Sequence, residues 1–167
     1  MYETGYGGSN LNRIRRAEEK DIPKVLELLV QVDMVHHLGR PDLFKGPVTK
    51  YTEAQLKEIF VNEQTPVFVC TNEQDEVSGY AFCMHKQSKN DNVLTDIKTL
   101  YLDDLCVDEA MRGKHIGTAL YEHVLAYAKE QGCYNVTLNV WATNEGARKF
   151  YEKCGMLPQK TCMEKIL

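Results

Sequence analysis

The sequence predicts a single mixed α+β domain, and two observations carry that prediction. One block, Leu100 to Gln131, reads as a strand, a basic glycine-bearing loop and a long helix. Around it the patterns run strand, two helices, strand hairpin, strand, helix, strand, helix, strand. That order is neither a doubly wound alternation nor a helical bundle. A length of 167 residues suits one domain, here residues 11–167. The glycine-rich stretch 1–10 shows no periodicity and is expected to be a flexible tail.

Arg13 to Arg16 gives a short first strand. Asp21 before Ile22, Pro23, Val25, Leu26, Leu29 and Val32 predicts a helix with an N-cap and an early proline, running to about Leu38. Gly39 and Pro41 end it. Thr52 with Gln55 makes a capping box for a second helix, Glu53 to Asn62. Val67 to Thr71 and Val77 to Gln87 read as a hairpin around NEQDE, and residues 87–92 as a turn before the central strand. Tyr101 to Val107 is β-rich but carries the acidic pair Asp103 and Asp104, which strict alternation sends to opposite faces. From Ile116 the apolar residues Leu120, Val124 and Tyr127 recur at helical spacing until Gly132 stops them. A strand at Asn135 to Val140 and a helix from Glu145 to about Lys153, capped by Asn144 and stopped by Gly155, come next. A β-type segment after Pro158 completes the order.

Composition excludes several function classes. A net charge of −4 and a pI of about 5.7 supply no basic excess for a nucleic acid and suit a cationic substrate. No apolar run approaches a membrane span, and the N-terminus lacks the basic flank and apolar core of a signal peptide, so a cytoplasmic protein is expected. The six cysteines are scattered, with no CxxC pair and no zinc spacing. Adjacent helical residues diverge by about 100°, so His36 and His37 do not converge on one ion, and no metal is expected.

The connection MRGKHIG, residues 111–117, carries charge at Arg112 and Lys114 and backbone freedom at Gly113 and Gly117. The first turn of a helix has free N–H donors and the positive end of the helix dipole, so a phosphate is the expected guest. An ordinary basic strand-to-helix turn has the same composition, and the loop alone does not decide between them.

Two ordered motifs decide it. LCVDEAMRGKHIG resembles the cofactor motif of the GNAT superfamily of acyl-CoA-dependent N-acetyltransferases, Q/R-x-x-G-x-G/A, with Arg112 first, Gly117 last and His115 where glycine is usual. VTLNVWATNEGARKFYEKCGM resembles the element that follows it there, with Asn144, Phe150, Tyr151 and Gly155 in place. The resemblance implies a mixed, mostly antiparallel central sheet flanked by helices, with a splay between the two central strands. It implies acetyl-CoA as cosubstrate and direct transfer of its acetyl group to a primary amine, on a small molecule or a protein. It also implies residue roles. Leu105 and Val107 would offer backbone groups to the pantetheine arm, and Arg112, Gly113, Lys114, His115, Ile116, Gly117 and Thr118 would surround the diphosphate. Asn144 would cap its helix and reach the arm. Tyr151, with a phenol pKa near 10, would protonate a departing thiolate of pKa about 8.5. One of Asp103 and Asp104 would act as base or amine anchor. His36, His37, Arg40, Asp42 and Phe44 would wall the acceptor site, and since the family often pairs through its C-terminal strands, a homodimer is expected. The alternative is a non-catalytic acyl-CoA-binding sensor or structural subunit of the same fold.

Overall fold

Five strands lie side by side in chain order in the computed structural model, which describes residues 12–167. They are β1 (Arg13–Arg16), β2 (Val67–Thr71), β3 (Val77–Gln87), β4 (Lys98–Val107) and β5 (Asn135–Thr137). Every junction is antiparallel except that of β4 with β5. A parallel pair needs a crossover, which α3 (Ile116–Glu130) supplies. α1 (Ile22–Gly39) and α2 (Glu53–Val61) cover one face of the sheet, while α3 and α4 (Glu145–Lys153) cover the other. The expected tail, residues 1–10, lies outside the described residues.

β2 shows why two helical layers are needed. All five of its residues are buried. Val67 and Val69 pack with Val25, Leu29 and Leu56 of the first two helices, and Phe68 and Cys70 with Leu120 and Val124 of α3. Burial on both faces explains the missing polar alternation, and each Val or Leu so buried contributes roughly 1.5–3 kcal/mol. Gly79 on β3 brings α3 down onto the sheet. A Cβ there would meet the Cys106 carbonyl oxygen at 2.8 Å and Leu120 and Ile116 at 3.2 and 3.3 Å. The first turn of α3 is thereby held against the end of β4.

The ladder between β3 and β4 carries a bulge. Phe82 is opposite Asp104 and Cys83 is opposite Leu102, which leaves Asp103 as the extra residue. Leu100, Leu102, Leu105 and Val107 pack on the α3 side, whereas Cys106 packs with Tyr80 and Phe82 on the α1 side. The extra residue breaks the alternation, so Asp103 and Asp104 both face the α1 side. Simple alternation had placed them on opposite faces, and the inserted residue is the reason it fails.

Other expectations are corrected locally. Asp21 does not cap α1. Its carboxylate accepts from the Arg15 guanidinium at 2.7 and 2.9 Å and from the Glu18 N–H at 2.8 Å, a bidentate ion pair plus a backbone bond that outweigh a single cap bond. The capping box of α2 forms as expected, with Thr52 and Gln55 exchanging bonds of 3.3 and 2.8 Å. β5 ends at Thr137 rather than Val140, and residues 158–167 form no strand. A strand exists only where a ladder partner exists, and β-type composition alone supplies none.

The start of α3 carries the one departure from the family pattern. His115 stands at the N-cap with φ 59° and ψ 17°, the left-handed region. A side chain there costs about 1–2 kcal/mol, which is why glycine is usual. His115→Gly removes that strain and forfeits roughly 0.5–1 kcal/mol of chain entropy. The expected result is a higher urea midpoint at unchanged slope. A lower midpoint would mean that the imidazole holds the loop.

Candidate active site

A cleft of about 240 Å³ opens at the N-terminus of α3, lined by Val107 of β4, the loop from Met111 through His115, the first turn of α3 and Phe150 of α4. Within α3, the Ala119 N–H is the first to turn back, bonding the His115 carbonyl at 3.0 Å, and no side chain caps the helix. Among the described residues, the six consecutive N–H groups from Gly113 to Thr118 therefore donate to no protein acceptor. Gly113 has φ 80°, which turns the loop so that these groups follow one another around the cleft. Gly117 has another role. A Cβ there would lie 3.6 Å from Phe150 and Val107, ordinary contact, so glycine keeps the cleft open and is not demanded by the fold. Arg112 is 58% exposed, with Glu109 a distant 3.9 Å partner, and Lys114 rests on the Met111 sulfur. Both cations can turn to an anion in the cleft.

Gln31 fixes the approach to this cradle. Its amide donates to the Val107 carbonyl at 2.9 Å and accepts from the Glu109 N–H at 3.1 Å, tying α1 to the end of β4 and to the turn that follows. The sequence reading passed over it. A glutamine inside an apolar helical run, flanked by Val30 and Val32, is the signal that was available.

β4 and β5 part company inside the sheet. They pair only at Thr99–Asn135, Leu100–Val136 and Tyr101–Thr137, so among the described residues β4 has a partner on its β3 edge alone from Leu102 onward. The Asp108 N–H bonds the Ser78 carbonyl at 2.9 Å, which fixes the phase of the ladder. By alternation Leu105 and Val107 point their N–H and C=O groups away from β3, into the opening. Gln31 takes the Val107 carbonyl, leaving both Leu105 groups and the Val107 N–H.

The acidic pair lies at the bulge beside that edge. Asp103 Oδ2 accepts from Lys50 Nζ at 2.5 Å and from the Tyr51 hydroxyl at 3.4 Å. Asp104 Oδ2 accepts from the Tyr80 hydroxyl at 2.8 Å. Burial pushes the Asp104 pKa up to about 6, although the Tyr80 hydrogen bond and the Lys50 charge pull the other way. Burial, then the charge of Asp104, holds Tyr80 well above the usual phenol range, so Tyr80 remains a donor. Burial alone would lower the pKa of Lys50, but the Asp103 hydrogen bond and charge outweigh it and the ammonium is retained.

Tyr151 approaches from α4. Its ring packs against Phe150 and Tyr121 at centroid distances of 5.0 and 6.0 Å. Burial, followed by the charge of Asp104, raises its pKa, so the phenol and that carboxylate lie within electrostatic reach across the opening. The Tyr151 hydroxyl has no hydrogen-bond partner among the described residues. Asn144 caps α4 through a 3.1 Å bond from the Ala147 N–H, which occupies its oxygen.

The connector after α1 divides in two. His36 stacks on Phe44 with centroids 5.1 Å apart, and Phe44 meets Trp141 edge-on at 5.1 Å. These rings form a wall, and burial lowers the pKa of His36, with Asp33 opposing the shift and Lys50 adding to it. Trp141 was not singled out from the sequence. His37 instead bonds the Phe44 carbonyl at 2.8 Å, and Arg40 pairs with Asp42 and Glu164 at 2.7 and 2.8 Å, so both brace the connector. Among the described residues no group of three or more His, Cys, Asp or Glu side chains converges as a metal site would.

Known proteins are similar to this chain in sequence and fold. A glucosamine 6-phosphate N-acetyltransferase of Arabidopsis thaliana is 37% identical over 68 residues, which are 41% of this chain and 44% of that protein. An uncharacterized N-acetyltransferase of Methanocaldococcus jannaschii is 29% identical over 142 residues, 85% of this chain and 59% of that protein. The matches thus span less than two thirds of either relative. Among solved structures, a Bacillus halodurans protein in its tetramutant form superposes with a TM-score of 0.88 at 31% identity, covering 93% of this chain and 99% of that one. The glucosamine-6-phosphate N-acetyltransferase of Arabidopsis thaliana superposes with a TM-score of 0.67 at 26% identity, covering 93% and 97%. The sequence profile of the acetyltransferase (GNAT) family matches residues 16–156, a span that takes in the parted strands, the acidic bulge and the amide cradle, and the chain belongs to that family.

Proposed function

We propose that the protein is an N-acetyltransferase that moves the acetyl group of acetyl-CoA to a primary amine by direct attack. The observation that carries this reading is continuity: one free strand edge runs from six unpartnered amides to two carboxylates. The diphosphate would sit on the N–H groups of Gly113 to Thr118, with Arg112 and Lys114 closing over it. The pantetheine arm would follow the Val107 and Leu105 edge. Strand geometry puts Asp103 about 13 Å from Val107, so the thioester end would reach the bulge.

The chemistry assigns the remaining groups. A lysine-like amine with pKa near 10.4 is neutral in only about one molecule in a thousand near pH 7.4, which costs roughly 4 kcal/mol. Asp103 would anchor the ammonium and Asp104 would take its proton. A carboxylate with pKa about 6 accepts that proton some 2 units more readily than an ordinary aspartate, worth about 3 kcal/mol. Tyr151, protonated at neutral pH, would return a proton to the departing thiolate. The acidic, aromatic setting of Asp103, Asp104, His36, Phe44 and Trp141 favours a cationic alkylamine as acceptor. A sensor would need the cradle alone, whereas a phenol and a carboxylate within electrostatic reach of each other favour turnover.

Two further features support parts of the proposal. All six cysteines are free, and among the described residues no helix is long and apolar enough to cross a membrane, which suits a reducing cytoplasm. Leu157, Met163, Ile166 and Leu167 are exposed on a segment that pairs with no strand among the described residues, which supports a homodimer joined through C-terminal segments.

A panel of amines with acetyl-CoA, read as thiol release, tests the activity. Gly117→Glu should leave the fold intact and abolish acetyl-CoA binding by calorimetry, because a carboxylate in the cradle repels the diphosphate. Parent-like titration would remove the cradle assignment. Tyr151→Phe should keep stability and cofactor affinity while single-turnover transfer falls by about 10²-fold, the range of a general acid. Unchanged transfer would make the hydroxyl a bystander.

Asp104→Asn gives the pH test. The folded pKa lies above the ordinary carboxylate value, so the stability contributed by protonated Asp104 is fully present below about pH 4 and is lost as pH rises through about 6. The variant should therefore gain on the parent in urea midpoint between pH 4 and pH 7, while transfer falls and its acid limb near pH 6 disappears. Equal midpoints at both pH values would mean that Asp104 is not buried as a charge.

A further inference from the structure

Lys50 stands out among the lysines. Lys20, Lys57 and Lys149 pair with carboxylates away from the parted strands, and Lys24 pairs with Glu27 and with Asp108, the residue after β4. Lys50 Nζ instead lies 2.5 Å from Oδ2 of Asp103, the bulged residue of β4, and the Tyr51 hydroxyl reaches the same oxygen. The ammonium is also 5.4 Å from the Tyr51 ring centroid, so its subsite has one carboxylate and one aromatic face. Asp104 faces the same side of the sheet and its charge reaches Lys50. A primary ammonium thus already rests where the proposed reaction anchors its acceptor.

The segment that carries it can deliver it. Residues 45–50 are exposed and without helix or strand, and the Lys50 side chain is 46% exposed. The Thr52 cap of α2 follows two residues later and tethers the segment. A tethered amine competes at high effective concentration with any amine in solution.

We propose that, when no acceptor is bound, Lys50 fills the acceptor subsite and is acetylated there by bound acetyl-CoA. This rests on the acetyltransferase reading above. The ammonium gives one proton to Asp104, and the freed lone pair forms a bond to the thioester carbonyl carbon. The C–S bond breaks and its electron pair leaves on sulfur, which takes a proton from Tyr151. The nitrogen gives up a second proton as it becomes an amide, and that proton restores Tyr151. One ammonium and one thioester yield N-acetyl-lysine, a free thiol and one released proton. The product is neutral, so Asp103 loses its internal cation and is opened to an ammonium from outside. Lys50 is in this sense both occupant and first substrate of the site.

Full-length protein incubated with acetyl-CoA alone, followed by intact mass and peptide mapping, tests this. Lys50 should be labelled at least about tenfold faster than exposed Lys89 or Lys160, the advantage of a held amine over free collision. Gly117→Glu should lower Lys50 labelling to the rate of those lysines, Lys50→Arg should leave only that background, and added spermidine should protect Lys50. Labelling of Lys50 at the background rate, or labelling that survives Gly117→Glu, would overturn the proposal as solution chemistry. Thiol release with the amine panel separates the two readings. Turnover of free amines without Lys50 labelling sinks this inference alone, and neither turnover nor labelling sinks the acetyltransferase reading with it.

Discussion

Beyond Tyr101, β4 has a ladder partner on one edge only among the described residues, and the cleft depends on that constraint. Exposed strand edges attract other backbones, and proteins ordinarily cover them. Here the edge is kept open but framed. β3 holds the strand on one side, Gln31 takes one of the freed carbonyls, and α3 and α4 form the far wall. The result is a row of backbone groups with the direction and spacing of a strand and no strand opposite. Such groups cannot collapse away from a ligand, because β3 fixes their orientation.

Opening the sheet has a charge consequence. A bulge at Asp103 puts two carboxylates on one face, where like charges oppose each other and burial opposes both. The surroundings divide them. Asp103 receives Lys50 and Tyr51, cation and phenol, at the edge of the opening, while Asp104 turns to Tyr80 and is left with a raised pKa. The two carboxylates are thus separated by environment and not by residue type. Across the opening, burial and then the charge of Asp104 raise the pKa of Tyr151.

The cradle and the bulge are linked through α1. Gln31 reaches the β4 end and the turn before the cradle, and His36, little more than one turn further along, begins the aromatic wall. One helix therefore positions the turn before the cradle and the aromatic wall together. The ion pairs of Arg15 with Asp21 and Asp75 hold the start of that helix against the sheet.

The sequence by itself determined the elements and the cradle. Helical periodicity, the Thr52–Gln55 box, the hairpin around residues 72–76 and the glycines of the loop are local signals, and local energetics realise them. The tertiary structure decided what depends on distant partners. The bulge that turns Asp103 and Asp104 to one face arises from register with β3, and no spacing within β4 announces it. Gln31 meets the end of β4, Lys50 meets Asp103 and Trp141 meets Phe44 because segments far apart in sequence converge, and His37 and Arg40 bond the Phe44 carbonyl and Glu164. β5 stopped at Thr137 because a strand lasts only as long as its ladder, and ladders are made by two segments, of which a sequence pattern describes one.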